Sequence, residues 1–255
     1  MKPIVVITAV PQEIELLEKA LEHSCRITAG GYSYLEGSIG DTPIVLCAGG
    51  VGKINAAAAT AVMIERCKPR LVINTGSAGA YLGSGLAVGD LVVADEEVLA
   101  DDGVIVRDGW RDLRYMNLHS VKQGGVSCYN ILPLSRSASD KAMHLAGLYG
   151  IFLIRGRSAT VSTCSGTRRY ADELMQRWHA LIENMEGAAV AQVCLRSGID
   201  CLEIRGISNM VEERDLKSWD MSRAVEAAQR FVLKYIEDVD KPDNSSIPKA
   251  IPEMT

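Results

Sequence analysis

Residues 43–66 read Pro43-Ile-Val-Leu-Cys-Ala48-Gly-Gly-Val-Gly52-Lys53-Ile-Asn-Ala-Ala-Ala-Ala-Thr-Ala-Val-Met-Ile-Glu-Arg66. The opening run, Pro43–Ala48, is apolar and has the length of a buried strand, whereas the alanine-rich segment Lys53–Arg66 is typical of a helix. A glycine-rich turn joins the two. Because a strand, a short turn and a helix form the repeating unit of α/β proteins, this stretch predicts that fold class for the chain.

The same alternation extends over most of the sequence. Strands are predicted at Pro3–Thr8, Pro43–Ala48, Leu71–Thr75, Asp90–Ala94, Phe152–Val161 and Cys201–Ile207, and helices at Gln12–Glu22, Lys53–Arg66, Ser139–Leu148, Thr167–Arg177, Asn184–Arg196 and Ser222–Glu237. Continuous Val/Ile/Leu runs indicate strands that are buried on both faces. We therefore predict a single-domain, three-layer α/β fold with a central mixed, mostly parallel sheet flanked by helices, and a site at the carboxyl ends of its strands.

Composition argues against several classes of partner. The chain has 255 residues, a net charge of −5 and no run of Lys or Arg. Nucleic-acid affinity comes chiefly from clustered basic residues, so we expect no nucleic-acid partner. No apolar run has the length of a membrane span. These features favour a small-molecule ligand and no membrane association.

The cysteines and histidines indicate neither disulfides nor a metal site. The seven cysteines are an odd number without a CxxC pair, and the four histidines have no ligand-like spacing. The N-terminal apolar run is too short for a signal sequence. We expect a cytoplasmic protein with no metal and no cofactor. A polar, proline-containing segment predicts that a domain at 1–239 is followed by a flexible tail at 240–255.

Two acidic residues stand out from the pattern. Glu13 follows the first strand by a short turn, where compensation of the helix dipole is the simplest interpretation. Glu186 falls in a predicted helix of small and apolar residues, where a buried carboxylate needs an ion pair or several hydrogen bonds. Arg205 is the candidate ion-pair partner. The alternative is a ribose cis-diol, whose two hydroxyls match the acceptor capacity of one carboxylate.

Two glycine-containing segments follow predicted strands. Residues 49–53 do not form a phosphate-binding loop, because Cys47 and Ile54 stand where that loop needs glycine and a hydroxyl residue. In Asn74-Thr-Gly-Ser77-Ala-Gly79, small side chains let a sugar or a flat ring approach the backbone. An ordinary strand-to-helix turn is the alternative interpretation of this second segment.

Asn209 follows the apolar run Cys201–Ile207. Its neutral amide can donate a hydrogen bond to O6 or N7 of a purine that carries oxygen at C6. The exocyclic amine of adenine donates hydrogen bonds instead of accepting them. If the site binds a nucleoside, Asn209 therefore favours hypoxanthine over adenine.

Several separated motifs occur in the order found in the purine nucleosidase and phosphorylase superfamily. They are Ala9-Val-Pro-Gln-Glu13, Gly50-Val-Gly-Lys53, Asn74-Thr-Gly-Ser-Ala-Gly79, Val88-Gly-Asp90, Met185-Glu186-Gly-Ala-Ala and Arg205-Gly-Ile-Ser-Asn209. The chain most resembles the nucleosidase branch that contains methylthioadenosine/S-adenosylhomocysteine nucleosidase. Within that branch, the run 207–215 and the later Trp219-Asp220 resemble the futalosine hydrolases. The resemblance covers nearly the whole chain before residue 240.

This resemblance implies hydrolysis of the N-glycosidic bond of futalosine, with release of hypoxanthine, in menaquinone biosynthesis. Adenine-directed members carry aspartate at the position of Asn209, so the departure is consistent with a 6-oxopurine. The implied catalytic residues are Glu13, which activates water, and Asn209, which stabilises the leaving base. The implied substrate-binding residues are Glu186, Met185, Ser77, Gly79, Val161, Ser162 and Arg205, with backbone groups of the Val161–Gly166 turn facing the purine.

Futalosine carries a benzoate group on its 5′ extension, so the resemblance also implies a cation beyond the ribose. Arg107, Arg111 and Arg114, in a long irregular excursion at 101–130, and Arg168 are candidates, with solvated surface charges as the alternative. Related enzymes close this end of the site with a neighbouring subunit. We therefore expect a homodimer or a larger homo-oligomer.

Three other functions stay open. An adenine-releasing nucleosidase would act on methylthioadenosine, S-adenosylhomocysteine or aminodeoxyfutalosine. A 6-oxopurine phosphorylase would need arginines near the first strand, and the Thr8–Glu13 turn has none. A nucleoside-binding protein without catalysis would have no need of a water-activating carboxylate such as Glu13.

Overall fold

The structure is a computed structural model that describes residues 1–123 and 125–241. Its strands are β1 (Ile4–Thr8), β2 (Glu22–Ala29), β3 (Tyr32–Ile39), β4 (Thr42–Ala48), β5 (Leu71–Tyr81), β6 (Leu91–Leu99), β7 (Gly103–Val106), β8 (Gly109–Asp112), β9 (Val121–Gln123), β10 (Val126–Cys128), β11 (Ile131–Pro133), β12 (Leu153–Thr160), β13 (Ile182–Asn184) and β14 (Asp200–Val211). Its helices are α1 (Glu15–Ala20), α2 (Lys53–Cys67), α3 (Arg136–Tyr149), α4 (Arg168–Trp178), α5 (Gly187–Ser197) and α6 (Met221–Asp238). Short 3-10 helices occupy Pro11–Glu13 and Leu216–Ser218.

One large mixed sheet organises the described part of the chain. Its strand order is β11-β6-β12-β13-β5-β1-β4-β3-β2, and β14 pairs with both β5 and β6. β14 runs parallel to β5 and antiparallel to β6. The pairings of β6, β12, β13, β5 and β14 therefore close into a ring, which brings the ends of distant strands together.

Helices cover both faces of the sheet around β1. Ile4 and Val6 belong to an apolar cluster with Phe231 of α6, whereas Val5 belongs to a second cluster with Met63 of α2. Successive side chains of a strand point to opposite faces, so two clusters on one strand mean two covered faces. The predicted three-layer α/β fold with a central mixed sheet is confirmed.

The first predicted helix, Gln12–Glu22, is wrong in its extent. The chain forms a 3-10 turn at Pro11–Glu13, then the short α1, and enters β2 at Glu22. The β2–β3 hairpin was not predicted, because β2 is largely exposed at the sheet edge and has no apolar pattern. Its two-residue turn has positive φ at Gly30 and Gly31, a conformation that glycine adopts readily.

Two further boundaries change the interpretation of the site. β5 continues from Leu71 to Tyr81, so the segment 74–79 lies within a strand and is not a strand-to-helix turn. α5 begins at Gly187, so Glu186 directly precedes the helix. The prediction that Glu186 lies inside the helix is therefore wrong. Glu186 therefore lies in the short connection between the end of β13 at Asn184 and the start of α5.

The excursion at 101–130 contains two hairpins, β7–β8 and β9–β10. At the other end of the chain, Asp240 accepts hydrogen bonds from Arg70, at 2.6 Å, and Thr42, at 3.2 Å. Most of the predicted tail, residues 242–255, lies outside the described residues. None of the helices in the described ranges is both long and apolar enough to cross a bilayer.

Candidate active site

A cleft of about 220 Å³ lies where β1, β12 and β14 approach their carboxyl ends, beside the distal half of β5. It brings together most of the residues predicted from sequence. Those that line it are Glu13, Ser77, Gly79, Val161, Met185, Glu186 and Asn209. A second cavity, of about 440 Å³, shares Val10, Glu13 and Met221 with the cleft, so the two spaces adjoin.

Glu13 is held at one end of the cleft by four hydrogen bonds, and its side chain is almost fully buried. Its Oε2 accepts from the backbone N–H of Ala9, at 3.0 Å, and of Val10, at 3.3 Å. Its Oε1 accepts from the backbone N–H of Ser77, at 3.0 Å, and from the Ser77 hydroxyl, at 3.2 Å. These donors fix the carboxylate between β1 and β5.

The close approach of Glu13 to β5 depends on Gly76. A Cβ atom at this position would lie 2.5 Å from Oε1 of Glu13, and the residue has a φ of +151°. Any side chain here would therefore displace the carboxylate. Gly76, in the predicted segment 74–79, therefore leaves the space that the Glu13 carboxylate occupies.

Glu186 lies near Glu13 and is only 6% exposed. Its Oε1 accepts a hydrogen bond from the backbone N–H of Gly52, at 2.9 Å, and its Oε2 lies 3.6 Å from Nη1 of Arg205. Burial raises the pKa of Glu186, whereas Arg205 and the Gly52 amide act to lower it. The glycine-rich turn 49–52 thus contributes one backbone donor to a carboxylate of the site.

Arg205 does not line the cleft but contacts Glu186, which does. It is fully buried, donates from Nε to Oε1 of Glu203, at 3.2 Å, and from Nη1 to the carbonyl of Ser77, at 3.4 Å. These contacts place the guanidinium between Glu186, Glu203 and the backbone of β5. Its role as a partner that orients Glu186 fits this placement.

A polar cluster inside the strand ring holds the segment that carries Glu186. The Asn184 carboxamide accepts from the backbone N–H of Glu186, at 2.8 Å, and donates to Oε1 of Glu97, at 2.8 Å. Burial, together with the neighbouring Glu203 carboxylate, raises the pKa of Glu97 well above its usual value. The raised pKa favours the neutral form of Glu97 beside the Glu203 carboxylate.

Asn209 of β14 pairs with Gly79 of β5, two residues beyond Ser77, which binds Glu13. Its Oδ1 is 2.8 Å from the Ser208 hydroxyl, and its Nδ2 donates to the carbonyl of Met210, at 3.1 Å. A Cβ atom on Gly79 would lie 3.2 Å from that Nδ2 and 2.6 Å from a methyl group of Val211. The missing side chain at Gly79 therefore leaves the carboxamide accessible from the cleft.

Ser162, which was predicted to bind the substrate, is not among the residues that line the cleft. Its backbone N–H donates to Oδ2 of Asp101, at 2.6 Å, and that of Thr163 donates to the same oxygen, at 3.3 Å. Asp101 is in turn bound by Lys53, at 2.5 Å. Because these donors are already engaged, the turn after β12 does not offer them to a purine, although Val161 lines the cleft.

Sequence reasoning missed Glu183, a third acidic residue in the wall of the cleft beside Glu13 and Glu186. Its Oε1 accepts from the backbone N–H of Ser165, at 3.0 Å, and its Oε2 accepts from the Ser165 hydroxyl, at 2.6 Å, and the Tyr81 hydroxyl, at 3.1 Å. The one signal in the sequence was an acidic residue three positions before Glu186. Glu183 lies in β13, whose three residues are too few to show the periodicity of a strand.

The predicted arginines do not line the cleft. Arg111 donates to the carbonyl of Trp110, Arg114 lies over the Tyr129 ring, Arg168 pairs with Asp172, and Arg107 is exposed. The arginine in the cleft wall is Arg214, whose guanidinium lies 5.0 Å from the ring centre of Trp219, another lining residue. Trp219 is the large aromatic ring among the described residues that line the cleft.

Metal binding has no counterpart in this arrangement. Within residues 1–123 and 125–241, no group of three or more His, Cys, Asp or Glu side chains is placed to hold a metal ion. The carboxylates of the cleft instead accept hydrogen bonds from backbone and hydroxyl groups. The lone pairs that stay free on Glu186 and Glu183 suit a ligand that carries hydroxyl or N–H donors.

Comparisons with known proteins identify the family and the fold. The model of the Phosphorylase superfamily matches residues 3–237. A 5′-methylthioadenosine/S-adenosylhomocysteine nucleosidase from Neisseria meningitidis, in complex with methylthio-immucillin-A, has 28% sequence identity and a TM-score of 0.82 over 93% of this chain and 100% of its own. The nucleosidase of the same name from Helicobacter pylori, with butyl-thio-DADMe-immucillin-A, has 25% identity and a TM-score of 0.81 over 94% and 99%.

A structure described as a futalosine hydrolase mutant of Helicobacter pylori strain 26695 has 24% identity and a TM-score of 0.82 over 93% of this chain and 100% of its own. At that identity the likeness shows the fold alone. The family model, in contrast, spans almost all of the described residues. The chain belongs to the phosphorylase superfamily, and the resemblance predicted from its motifs is confirmed.

Proposed function

We propose that this protein hydrolyses the N-glycosidic bond of a purine nucleoside whose base carries oxygen at C6, and that it releases hypoxanthine from futalosine in menaquinone biosynthesis. The observation that carries the proposal is the convergence of Glu13, Glu186 and Asn209 on one cleft. The similar nucleosidases from Neisseria and Helicobacter support the class of reaction. Asn209 supports the choice of base.

The two ends of the cleft are separated by a distance that suits a nucleoside. Ser77, which binds Glu13, and Gly79, which adjoins Asn209, both line the cleft and are two residues apart on β5. Two residues of a strand span about 7 Å. A nucleoside that lies along β5 therefore places its sugar near Ser77 and its base near Gly79.

Glu13 is the proposed general base. A carboxylate has about four lone-pair positions, and four donors already occupy those of Glu13. Three of the donors are backbone N–H groups, whereas the Ser77 hydroxyl can rotate away. A water molecule that replaces this hydroxyl bond lies against the sugar and transfers its proton to Glu13 as it attacks the anomeric carbon.

Glu186 is the proposed acceptor for the ribose 2′- and 3′-hydroxyls. Its Oε1 receives one backbone N–H and its Oε2 faces Arg205, so each oxygen retains a lone pair for a hydroxyl donor. Two hydrogen bonds to one carboxylate fix the sugar against Glu13. They also favour the positive charge that develops on the ribose ring in an oxocarbenium-like state.

Asn209 is the proposed partner of the leaving base. One N–H of its Nδ2 donates to the Met210 carbonyl, which leaves the second N–H for O6 or N7. Negative charge builds on the purine as the glycosidic bond breaks. A donor fixed near that charge typically accelerates such a step by about 10²- to 10³-fold.

The cleft favours water over phosphate as the nucleophile. Two carboxylates, Glu13 and Glu186, line the end where the nucleophile enters, and both would repel an anion. We expect the rate of base release to be the same in phosphate-free buffer and in added phosphate, with free sugar as the second product. A rate that rises with phosphate and yields sugar 1-phosphate would replace hydrolysis with phosphorolysis.

The cellular setting and assembly are part of the same proposal. We propose a cytoplasmic protein whose partner is a small-molecule purine nucleoside rather than nucleic acid, which the net charge of −5 supports. We also propose a homodimer or larger homo-oligomer. Support comes from exposed apolar side chains beside the cleft, where Val51 lines the opening and Ile54 is 85% exposed.

A further inference from the structure

We propose that Glu183 determines base specificity by accepting a hydrogen bond from N1–H of a 6-oxopurine. This inference rests on the proposed function, because it concerns the base that the same cleft binds. In this proposal Glu183 adds to the selection of hypoxanthine over adenine that Asn209 provides. Glu183 is 7% exposed, and its exposed part faces the cleft.

The strand register places Glu183 and Asn209 on either side of Gly79. Glu183 of β13 pairs with Gly79 of β5, and Asn209 of β14 pairs with the same glycine from the opposite side. Each step between neighbouring strands is about 5 Å, and directly paired residues project to the same face of a sheet. A carboxylate and a carboxamide therefore flank a strip of backbone that carries no side chain.

The edge of hypoxanthine matches this pair of groups. Going along that edge, O6 accepts hydrogen bonds and N1–H donates one, whereas adenine has a donor at N6 and an acceptor at N1. Asn209 can donate to O6, and a carboxylate beyond it can accept from N1–H. Adenine would place the N1 lone pair against the Glu183 carboxylate, which is repulsive.

The Ser208 hydroxyl and the Met210 carbonyl orient the Asn209 carboxamide, whose remaining N–H reaches only one side of the base edge. Glu183 is fixed as well. Three donors hold it, namely the backbone N–H and hydroxyl of Ser165 and the hydroxyl of Tyr81. They use two lone-pair positions of Oε2 and one of Oε1, so Oε1 retains an acceptor position for a ligand.

Burial raises the pKa of the Glu183 carboxyl group above its usual value, and the Ser165 hydroxyl, the Ser165 backbone N–H, the Tyr81 hydroxyl and Arg214 offset part of that effect. The same contacts define a purely structural alternative, in which Glu183 only anchors the turn that contains Ser165. The two roles predict different effects on substrates that differ at N1.

The test uses Glu183→Gln with inosine, 1-methylinosine and adenosine as substrates, and kcat/KM as the readout. Glutamine has the size of glutamate, so the steric effect of the N1 methyl group is common to both proteins. Loss of a hydrogen bond to a charged acceptor should lower kcat/KM for inosine by about 10- to 100-fold. The value for 1-methylinosine should stay within about threefold, since that substrate has no N1–H to lose.

Ser165→Ala is the matched control, because it removes one anchoring donor and keeps the carboxylate. It should preserve the wild-type ratio of inosine to 1-methylinosine, whatever its effect on the absolute rates. Equal losses for inosine and 1-methylinosine in Glu183→Gln would overturn the inference and leave only the structural role. If the wild type prefers adenosine to inosine, the proposed function itself fails, which is a distinguishable result. Competitive inhibition constants supply the same ratios for a substrate that turns over too slowly.

Discussion

Glu13→Gln is expected to lower kcat for base release by about 10²- to 10⁴-fold, the contribution of a positioned general base. Glutamine cannot take the proton of the attacking water. Its amide group also places an N–H against a backbone donor, either that of Ala9 or that of Ser77, since both oxygens of Glu13 accept such donors. The loss should appear in single-turnover assays of hypoxanthine release.

Glu15→Gln is the matched control for this substitution. It removes the same charge two residues away, at an exposed side chain that does not line the cleft. Its kcat should stay within about threefold of the wild type, as is usual for a surface substitution. The inhibition constant of hypoxanthine and the unfolding midpoint of each variant separate chemistry from folding. Undiminished turnover by Glu13→Gln, with binding intact, would remove Glu13 from the mechanism.

Asn209→Asp is expected to lower hypoxanthine release by about 10²- to 10³-fold, because one fixed donor to the leaving base is lost. An ionised aspartate repels O6, whereas it can accept from the amine of adenine. The Met210 carbonyl, 3.1 Å from Nδ2 in the wild type, would then face an oxygen. The ratio of the rate of hypoxanthine release to the rate of adenine release should therefore fall by more than the rate of hypoxanthine release itself falls.

Asn209→Ala separates the loss of the donor from the gain of an acid. It removes the amide without adding a carboxyl group, so it should slow the release of both bases. A shift towards adenine in the aspartate variant, absent from the alanine variant, supports selection by hydrogen-bond polarity. An unchanged base preference in Asn209→Asp would show that another group selects the base.

The core of the fold was predictable because its strands are apolar runs buried on both faces. Leu71–Thr75 and Cys201–Ile207 were placed correctly as strands, although both continue further, as β5 and β14. The β2–β3 hairpin was missed, since an exposed edge carries no apolar signal. The three-residue β13 is too short for any periodicity to show.

The candidate site was predictable where its residues follow long strands or belong to recognisable motifs. Glu13, Glu186 and Asn209 meet this condition, and the structure places all three in one cleft. Glu183 does not, because it lies in the three-residue β13, which is too short to show a periodic pattern. The hydrogen bond between the Ser162 backbone N–H and Asp101 was equally hidden, since Asp101 follows a separate strand.

The most direct test of the account is the base released from two nucleosides that differ only at C6. Futalosine and aminodeoxyfutalosine are supplied together, at equal concentration, to the wild-type protein in phosphate-free buffer, and the products are separated by chromatography. Because the cleft presents a donor to O6, hypoxanthine should form at least about 10²-fold faster than adenine. Adenine as the main product would contradict the account.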